Sequence, residues 1–170
     1  MGLMELDDDK GFISSFIDYR EDHPLKLIRI LNIVERLSLN RNGKKVLTIE
    51  NAAFINYLYE NPSIIPHVLD YFNKDYSWIS VNPTLYDIAL DTADLYRSSD
   101  FKRSIIELVG KGLISLDEID GDYYISIQSE SSFRIEDDLQ KKWSILSLKL
   151  RFLLSKPIST LYKSLPGYIK

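Results

Sequence analysis

The chain has 170 residues, no cysteine and a formal net charge of −4 at pH 7, and its composition of 45% hydrophobic and 27% charged residues is globular rather than disordered. This length suits one ordinary domain, and the absence of cysteine excludes disulfides, cysteine-based zinc sites and thiol catalysis. No apolar run approaches the ~18 residues of a membrane-spanning helix, and the acidic first nine residues lack the basic and apolar regions of a signal peptide. We therefore expect a single-domain protein of the cytoplasm that makes no membrane contact.

Charge is distributed unevenly along the chain. Residues 1–22 contain seven acids and two bases, whereas residues 139–170 contain seven bases and no acid. A basic tail can contact nucleic acid, an acidic protein partner or the chain's own acidic N-terminal segment, or it can be a solvated surface. We divide the chain into an acidic N-terminal segment (1–22), a core (23–130) and a basic helical C-terminal extension (131–170).

The first third of the chain predicts two helices. Asp22 is a capping acid followed by His-Pro, and apolar residues recur with the 3.6-residue period up to Leu37, which leaves Arg29 on the expected outer face. Thr48 is a natural N-cap for a second helix, which ends at Asn61 because a proline follows.

The middle of the chain predicts less regular structure. We expect a short helix from Ile64 to Phe72, an irregular stretch from Asn73 to Pro83 and a further helix from Leu85 to Tyr96. Tyr76 and Trp78, in the irregular stretch, belong to residue types that are enriched at binding hot spots. They are therefore candidates for a protein interface, although residues of these types more often fill the core.

The next segment predicts a helix followed by a β-hairpin. Ser98-Ser99-Asp100 caps a helix that ends at Gly110 and Gly112, and Asp120-Gly121 is a two-residue hairpin signal between apolar stretches. A helix, a Gly-Leu-Ile segment and a hairpin in this order are the end of a winged helix-turn-helix. We therefore expect a mainly α fold with a small β-hairpin. The expected architecture is a winged helix-turn-helix core in residues 23–130 with extra N-terminal and C-terminal helices.

A long helix is predicted from Ser131 or Ser132 to Leu154, and its apolar residues form two arcs on opposite sides. The first arc consists of Trp143, Leu146, Leu150, Leu153 and Leu154. The second arc consists of Ile145, Leu148 and Phe152. Two apolar arcs are more than a small domain usually covers, so the second arc is a candidate protein interface. The alternative is that this arc packs against residues 157–168.

The sequence contains no recognisable constellation for catalysis. The two histidines, His23 and His67, lie beside prolines at helix starts and share no metal-ligand or catalytic spacing with acids. The motifs of serine hydrolases, zinc proteases, Walker loops and dinucleotide-binding folds are absent. We therefore expect a protein that is not an enzyme, with no catalytic residue, cofactor, metal site or small-molecule substrate.

Nucleic-acid contact is predicted to be weak. The hairpin carries four acids and no base between Leu113 and Ile127, so phosphate would be repelled there. The preceding helix offers Lys102 and Arg103, and the i,i+4 spacing of Arg103 and Glu107 lets these two charges neutralise each other. The basic tail adds four candidates for non-specific contact, which are Lys141, Lys142, Lys149 and Arg151.

The order of these elements resembles a bacterial family. The resemblance lies in the capped helix from Ile49 to Tyr59, the Asn61-Pro62 pair after it, the stretch from Leu95 to Phe101 and the stretch from Ile106 to Ile114 before a tyrosine-containing hairpin. Over residues 24 to 155 the chain is similar to the small middle component of bacterial three-component ABC-ATPase systems. That group includes Lamassu anti-phage defence.

The resemblance implies a non-catalytic adaptor subunit that links an SMC- or Rad50-like ATPase to an effector, commonly a nuclease. Such subunits are comparable to the winged-helix accessory proteins of SMC complexes, and DNA would be sensed through the complex. One alternative is a winged-helix transcriptional regulator that binds DNA through the helix from Asp100 to Lys111. Another, suited to an acidic chain, is an antitoxin or anti-restriction protein that occupies a partner's nucleic-acid site.

Overall fold

The computed structural model describes residues 22–79, 98–129 and 137–167. These residues form a mainly helical fold with one small antiparallel hairpin, which confirms that part of the prediction. In chain order the elements are α1 (His23–Leu37), α2 (Ile49–Glu60), a 3₁₀ turn (Pro62–Ile64), α3 (Ile65–Tyr71), α4 (Ser98–Gly110), β1 (Ile114–Ile119), β2 (Asp122–Ile127), α5 (Asp137–Leu150), a 3₁₀ segment (Arg151–Ser155) and α6 (Ile158–Lys163). The predicted helix from Leu85 to Tyr96, the start of the C-terminal helix at Ser131 or Ser132 and the acidic residues before Asp22 lie outside the described residues.

Helix α1 begins where predicted but buries one residue that its periodicity places outside. The Asp22 carboxylate accepts a hydrogen bond from the Leu25 backbone N–H at 2.9 Å, which caps the helix. Arg29 is only 4% exposed, so its predicted outer position is wrong. Its Nε donates to Asn56 Oδ1 at 2.9 Å and its Nη2 pairs with Glu60, and both partners lie on α2. Burial lowers the pKa of Arg29, and the Glu60 carboxylate opposes this shift.

Helix α2 lies at the centre of the core. The Thr48 hydroxyl accepts a hydrogen bond from the Asn51 N–H at 3.2 Å and caps the helix, as predicted. Apolar side chains from all three described ranges pack around it in one hydrophobic cluster. Fully buried members of this cluster include Phe54, Leu58, Ile65, Leu108, Ile114 and Leu150. The C-terminal helices therefore share their core with the first half of the chain.

The hairpin follows the Asp120-Gly121 signal. Both turn residues have positive φ, 54° and 85°, as a type I′ turn requires. Strand β2 also pairs with the segment before α2, because the Ile125 N–H donates to Leu47 O at 3.0 Å and Thr48 forms an antiparallel bridge with Tyr124. A third extended segment thus attaches the hairpin to the core.

The C-terminal α-helix is shorter than predicted. Helix α5 ends at Leu150 and the 3₁₀ segment follows, so the expected continuous helix through Leu154 is wrong. At this break the Arg151 Nη2 donates to the carbonyl oxygens of Arg36 and Leu39, at 3.0 and 2.9 Å, near the end of α1. Among the described residues, no helix is both long and apolar enough to span a bilayer.

Candidate interaction surfaces

The two histidines lie apart in the structure. His23 Nε2 is 2.8 Å from Glu107 Oε2, which ties the start of α1 to α4, and His67 is exposed on α3. Within residues 22–79, 98–129 and 137–167, no group of three or more histidine or acidic side chains is placed to bind a metal ion. What these residues offer to a ligand lies in their apolar, aromatic and basic side chains.

The two apolar arcs of the C-terminal helix have different surroundings. The first arc belongs to the core, since Trp143 is 6% exposed and Leu150 and Leu153 are buried. In the second arc, Ile145 is 49% exposed and Leu148 is 75% exposed. The outer side of α5 therefore presents aliphatic side chains to solvent.

Phe152, the third residue of the second arc, lies beyond the end of α5 and is half-buried. Its ring meets that of Phe72 edge to face, with 5.6 Å between centroids and 75° between planes. Packing against residues 157–168 was the alternative expected for this arc, but the ring contact of Phe152 is with the residue that follows α3. Ile145 and Leu148 are consequently the exposed apolar face of α5.

Tyr76 and Trp78 lie in the loop 73–79. The Asp75 carboxylate accepts hydrogen bonds from the Ser77 N–H and hydroxyl, both at 3.0 Å, and these bonds, together with the charge of Lys149, lower the pKa of Asp75. Trp78 Nε1 donates to the Asp75 carbonyl oxygen at 2.8 Å, and Lys149 Nζ lies 5.6 Å from the centre of the Trp78 ring. Of the two candidate interface aromatics, Trp78 is half-buried beside α5, whereas Tyr76 is 44% exposed.

Three lysines lie over aromatic rings on this side of the molecule. The distances from Nζ to the ring centre are 5.2 Å for Lys74 and Phe152, 5.6 Å for Lys149 and Trp78, and 5.7 Å for Lys156 and Phe72. We call these three lysines and three rings the lysine–aromatic surface. Lys74, Lys156 and Phe72 were not among the predicted residues, although the mixture of aromatic and charged residues from Tyr71 to Trp78 was a signal that could have found two of them.

The basic candidates of the tail divide into two groups. Lys141, Lys142 and Lys149 are exposed on α5. Arg151 is half-buried, and its hydrogen bonds to carbonyl oxygens near the end of α1 give it a contact within the fold. The exposed basic candidates of the tail are therefore the three lysines, whereas Arg151 is bound within the fold.

The basic candidates on α4 are also exposed. The side chain of Arg103 is 82% exposed, and Lys102 precedes it on the same surface. The predicted pairing of Arg103 with Glu107 is wrong, because Arg103 Nη1 lies 3.8 Å from Asp100 Oδ1 and Glu107 pairs with Lys111 at 3.7 Å. Each positive charge on this helix except Lys102 thus has a carboxylate within 4 Å.

Comparison of the chain with family models, with curated proteins and with solved structures found no match. Any function assigned to the chain has to follow from its motifs and its surfaces.

Proposed function

We propose that the chain is a non-catalytic adaptor subunit that links an SMC- or Rad50-like ATPase to a nuclease effector in a cytoplasmic anti-phage or anti-plasmid defence complex. The observation that carries the proposal is the exposed apolar face of α5, where Leu148 is 75% exposed and Ile145 49% exposed. Complete burial of such a side chain contributes up to about 1.5–3 kcal/mol, so two of them can anchor a partner.

The arrangement of α1, α2, α4 and the hairpin supports the winged-helix part of the proposal. In that fold a short extended segment between the first two helices pairs with the hairpin, and Leu47 and Thr48 make this pairing with β2. Gly112, at a φ of 70°, allows the chain to turn from α4 into β1. In the resembling subunits, such a scaffold serves for protein contacts.

The charge of the hairpin favours a protein partner over duplex DNA. Asp117 pairs with Lys45, while Glu118, Asp120 and Asp122 are exposed. Unpaired carboxylates at the tip would repel a phosphate backbone. DNA would therefore reach this chain through the complex rather than through the hairpin.

The second candidate function is a winged-helix transcriptional regulator, which the exposure of Lys102 and Arg103 on α4 favours. A regulator must bind a specific duplex with a steep salt dependence, and Lys102→Ala with Arg103→Ala must abolish that binding. Ile106, which is 71% exposed on the same helix, and the acidic hairpin oppose this alternative.

The adaptor proposal is tested by co-expressing the tagged chain with the products of its adjacent genes. After affinity purification, size exclusion and mass spectrometry should find a coiled-coil ATPase and an effector at fixed stoichiometry. Ile145→Glu combined with Leu148→Glu should abolish the assembly without changing the urea midpoint of the isolated chain. Ile106→Glu is the control, because Ile106 is nearly as exposed as Leu148, 71% against 75%, but lies on α4.

Three results would contradict the proposal. A chain that elutes alone, as a monomer or dimer, leaves the regulator as the better account. Recovery of a single, inhibited nuclease indicates an antitoxin or anti-restriction protein. Loss of assembly with Ile106→Glu but not with the α5 variant places the interface on α4.

A further inference from the structure

We propose that the lysine–aromatic surface is a binding site for single-stranded nucleic acid. Its lysines would contact successive phosphates, and the exposed rings of Tyr71 and Tyr76 next to it would stack with bases. This site borders the apolar face of Ile145 and Leu148 but uses different side chains, so it does not depend on the adaptor function. Sequence-tolerant single-strand sites combine the same two components, a basic track for the backbone and aromatic rings for the bases.

The charge of this part of the chain favours a polyanion. Residues 137–167 contain six bases and two acids, and both acids lie in the first turn of α5. Two further carboxylates, those of Asp70 and Asp75, are exposed near the surface. The Asp75 carboxylate is bound by the Ser77 N–H and hydroxyl, and it lies close enough to Lys149 for the two charges to interact. Among the described residues, positive charge therefore exceeds negative charge around the rings.

The three lysines of this surface are positioned by aromatic rings rather than by ion pairs, so their positive charge can act on a ligand. Among the described residues, Lys45 and Lys111 are each paired with a carboxylate, which neutralises them. Lys74, Lys149 and Lys156 instead lie 5.2–5.7 Å from ring centres, and the structure shows no ion pair for them within its described part. A ring orders an ammonium group without supplying a countercharge, and an ammonium group has three N–H donors. Three such ammonium groups are suited to phosphate oxygens.

The aromatic side chains favour a single strand over a duplex. Tyr71 is 46% exposed and Tyr76 44% exposed, and the Tyr71 ring lies 5.0 Å from that of Phe72, which Lys156 covers. Unpaired bases can stack on such rings, whereas the bases of a duplex are already stacked on each other. Single-stranded DNA and RNA share this chemistry, so the site is defined by the unpaired strand.

The test is fluorescence anisotropy of the full chain with three labelled probes. These are oligo(dT) of about 12 nucleotides, oligo(U) of the same length and a hairpin duplex of equal charge. We expect either single strand to bind at least about tenfold tighter than the duplex. With three phosphate contacts, the slope of log K against log salt should be about −2.

Variants identify the surface. Lys74→Gln with Lys149→Gln retains much of the aliphatic stems but removes two charges, and it should weaken single-strand binding roughly tenfold and flatten the salt slope by about 1.4. Tyr76→Ala should weaken binding about tenfold with the salt slope unchanged, because stacking releases no counterion. Lys102→Gln with Arg103→Gln removes the same charge from α4 and is the matched control, which should bind like the wild type. The melting temperatures of all variants, measured by circular dichroism, should lie within about 4 °C of the wild type, because each lost lysine–ring contact costs little stability.

The outcomes distinguish a single-strand site on this surface from a duplex site, from a site on α4 and from a contact with an acidic protein. The proposal is overturned if no single strand binds, if the duplex binds as tightly, or if the α4 variant loses as much affinity as the lysine variant. It is also overturned if the lysine variant leaves oligonucleotide binding intact but weakens the complex with the neighbouring proteins, since the surface would then belong to an acidic protein partner. The variant Ile145→Gln with Leu148→Gln, which adds no charge beside Lys149, should still bind the oligonucleotide, whatever its effect on assembly.

Discussion

Two parts of this molecule, which we call its ends, both expose charged and apolar side chains but differ in what surrounds the positive charges. At the end formed by α4 and the hairpin, residues 98–129 contain six acids and three bases, and carboxylates pair with Lys45, Lys111 and His23. At the end formed by α5 and the loop 73–79, lysines lie over rings and acids are few. Most positive charges of the first end lie within 4 Å of a carboxylate, whereas three lysines of the second end lie over aromatic rings instead.

Exposed aliphatic residues occur at both ends, but their settings differ. Ile106 is 71% exposed on α4, among its own helix's charged pairs. Leu148 is 75% exposed on a helix whose opposite side is anchored in the core by Trp143 and Leu150. A rigid, core-anchored helix holds its outer face in one orientation, which reduces the entropy lost when a partner binds. The two arcs of α5 should therefore differ sharply in what their side chains contribute to stability.

The largest expected effect comes from substituting one leucine on each arc of α5. Leu150→Ala should lower the free energy of unfolding by about 2–5 kcal/mol, because Leu150 is fully buried and its loss leaves a cavity. Leu148→Ala should change it by less than about 0.5 kcal/mol, because that side chain is already in water. Urea unfolding of both variants makes the measurement. Equal losses would mean that the outer arc is covered by the chain itself, and the interface proposal would then fail.

The next effect concerns Tyr59, which joins α2 to α5. Its hydroxyl donates to Trp143 O at 3.0 Å and lies 2.6 Å from Ser147 Oγ, and burial raises its pKa to about 12. The unfolded chain ionises Tyr59 near pH 10, so the stability that this group contributes is complete below pH 10 and decreases as the pH rises toward 12. Tyr59→Phe should cost about 1 kcal/mol at neutral pH.

The loss of stability at alkaline pH tests whether the Tyr59 hydroxyl is buried. Between pH 10 and pH 12, the wild type should lose about 2–3 kcal/mol more stability than Tyr59→Phe, since the variant has no group to ionise there. Urea titrations at several alkaline pH values measure this difference. Parallel curves for the two proteins would show that the Tyr59 hydroxyl is in contact with water and that α5 is held less tightly to α2 than the structure indicates.

Local signals explain which elements were predictable. The caps at Asp22 and Thr48 act within three residues of themselves, and Asp120-Gly121 supplies both positive φ values of its turn. Each of these features depends on a few neighbouring residues, so α1, α2 and the hairpin could be predicted from the sequence. The two arcs of the C-terminal helix follow for the same reason, from helical periodicity.

Contacts between distant positions account for the errors. Arg29 is buried because Asn56 and Glu60, on another helix, receive its donors, and no periodicity within α1 contains that information. Helix α5 stops at Leu150 where Arg151 bonds to carbonyl oxygens more than 100 positions earlier in the chain. The lysine–aromatic surface likewise joins the loop 73–79 to residues 149–156. Only the tertiary fold brings those two stretches together.

The smallest effect compares one lysine from each end, Lys45 and Lys149. Lys45→Gln removes a partly exposed ion pair with Asp117, so its cost should be at most about 0.5 kcal/mol and should vanish near 1 M salt, where charges are screened within about 3 Å. Lys149→Gln removes an ammonium group from the Trp78 ring at a cost of about 0.5 kcal/mol, which should persist at high salt because the contact needs no countercharge. Urea midpoints at low and high salt measure both. If salt abolished both costs alike, Lys149 would be held by Asp75 rather than by the ring, and its charge would be compensated like that of Lys45. The two ends would then differ in amino-acid composition, but in both of them a carboxylate would neutralise the lysine.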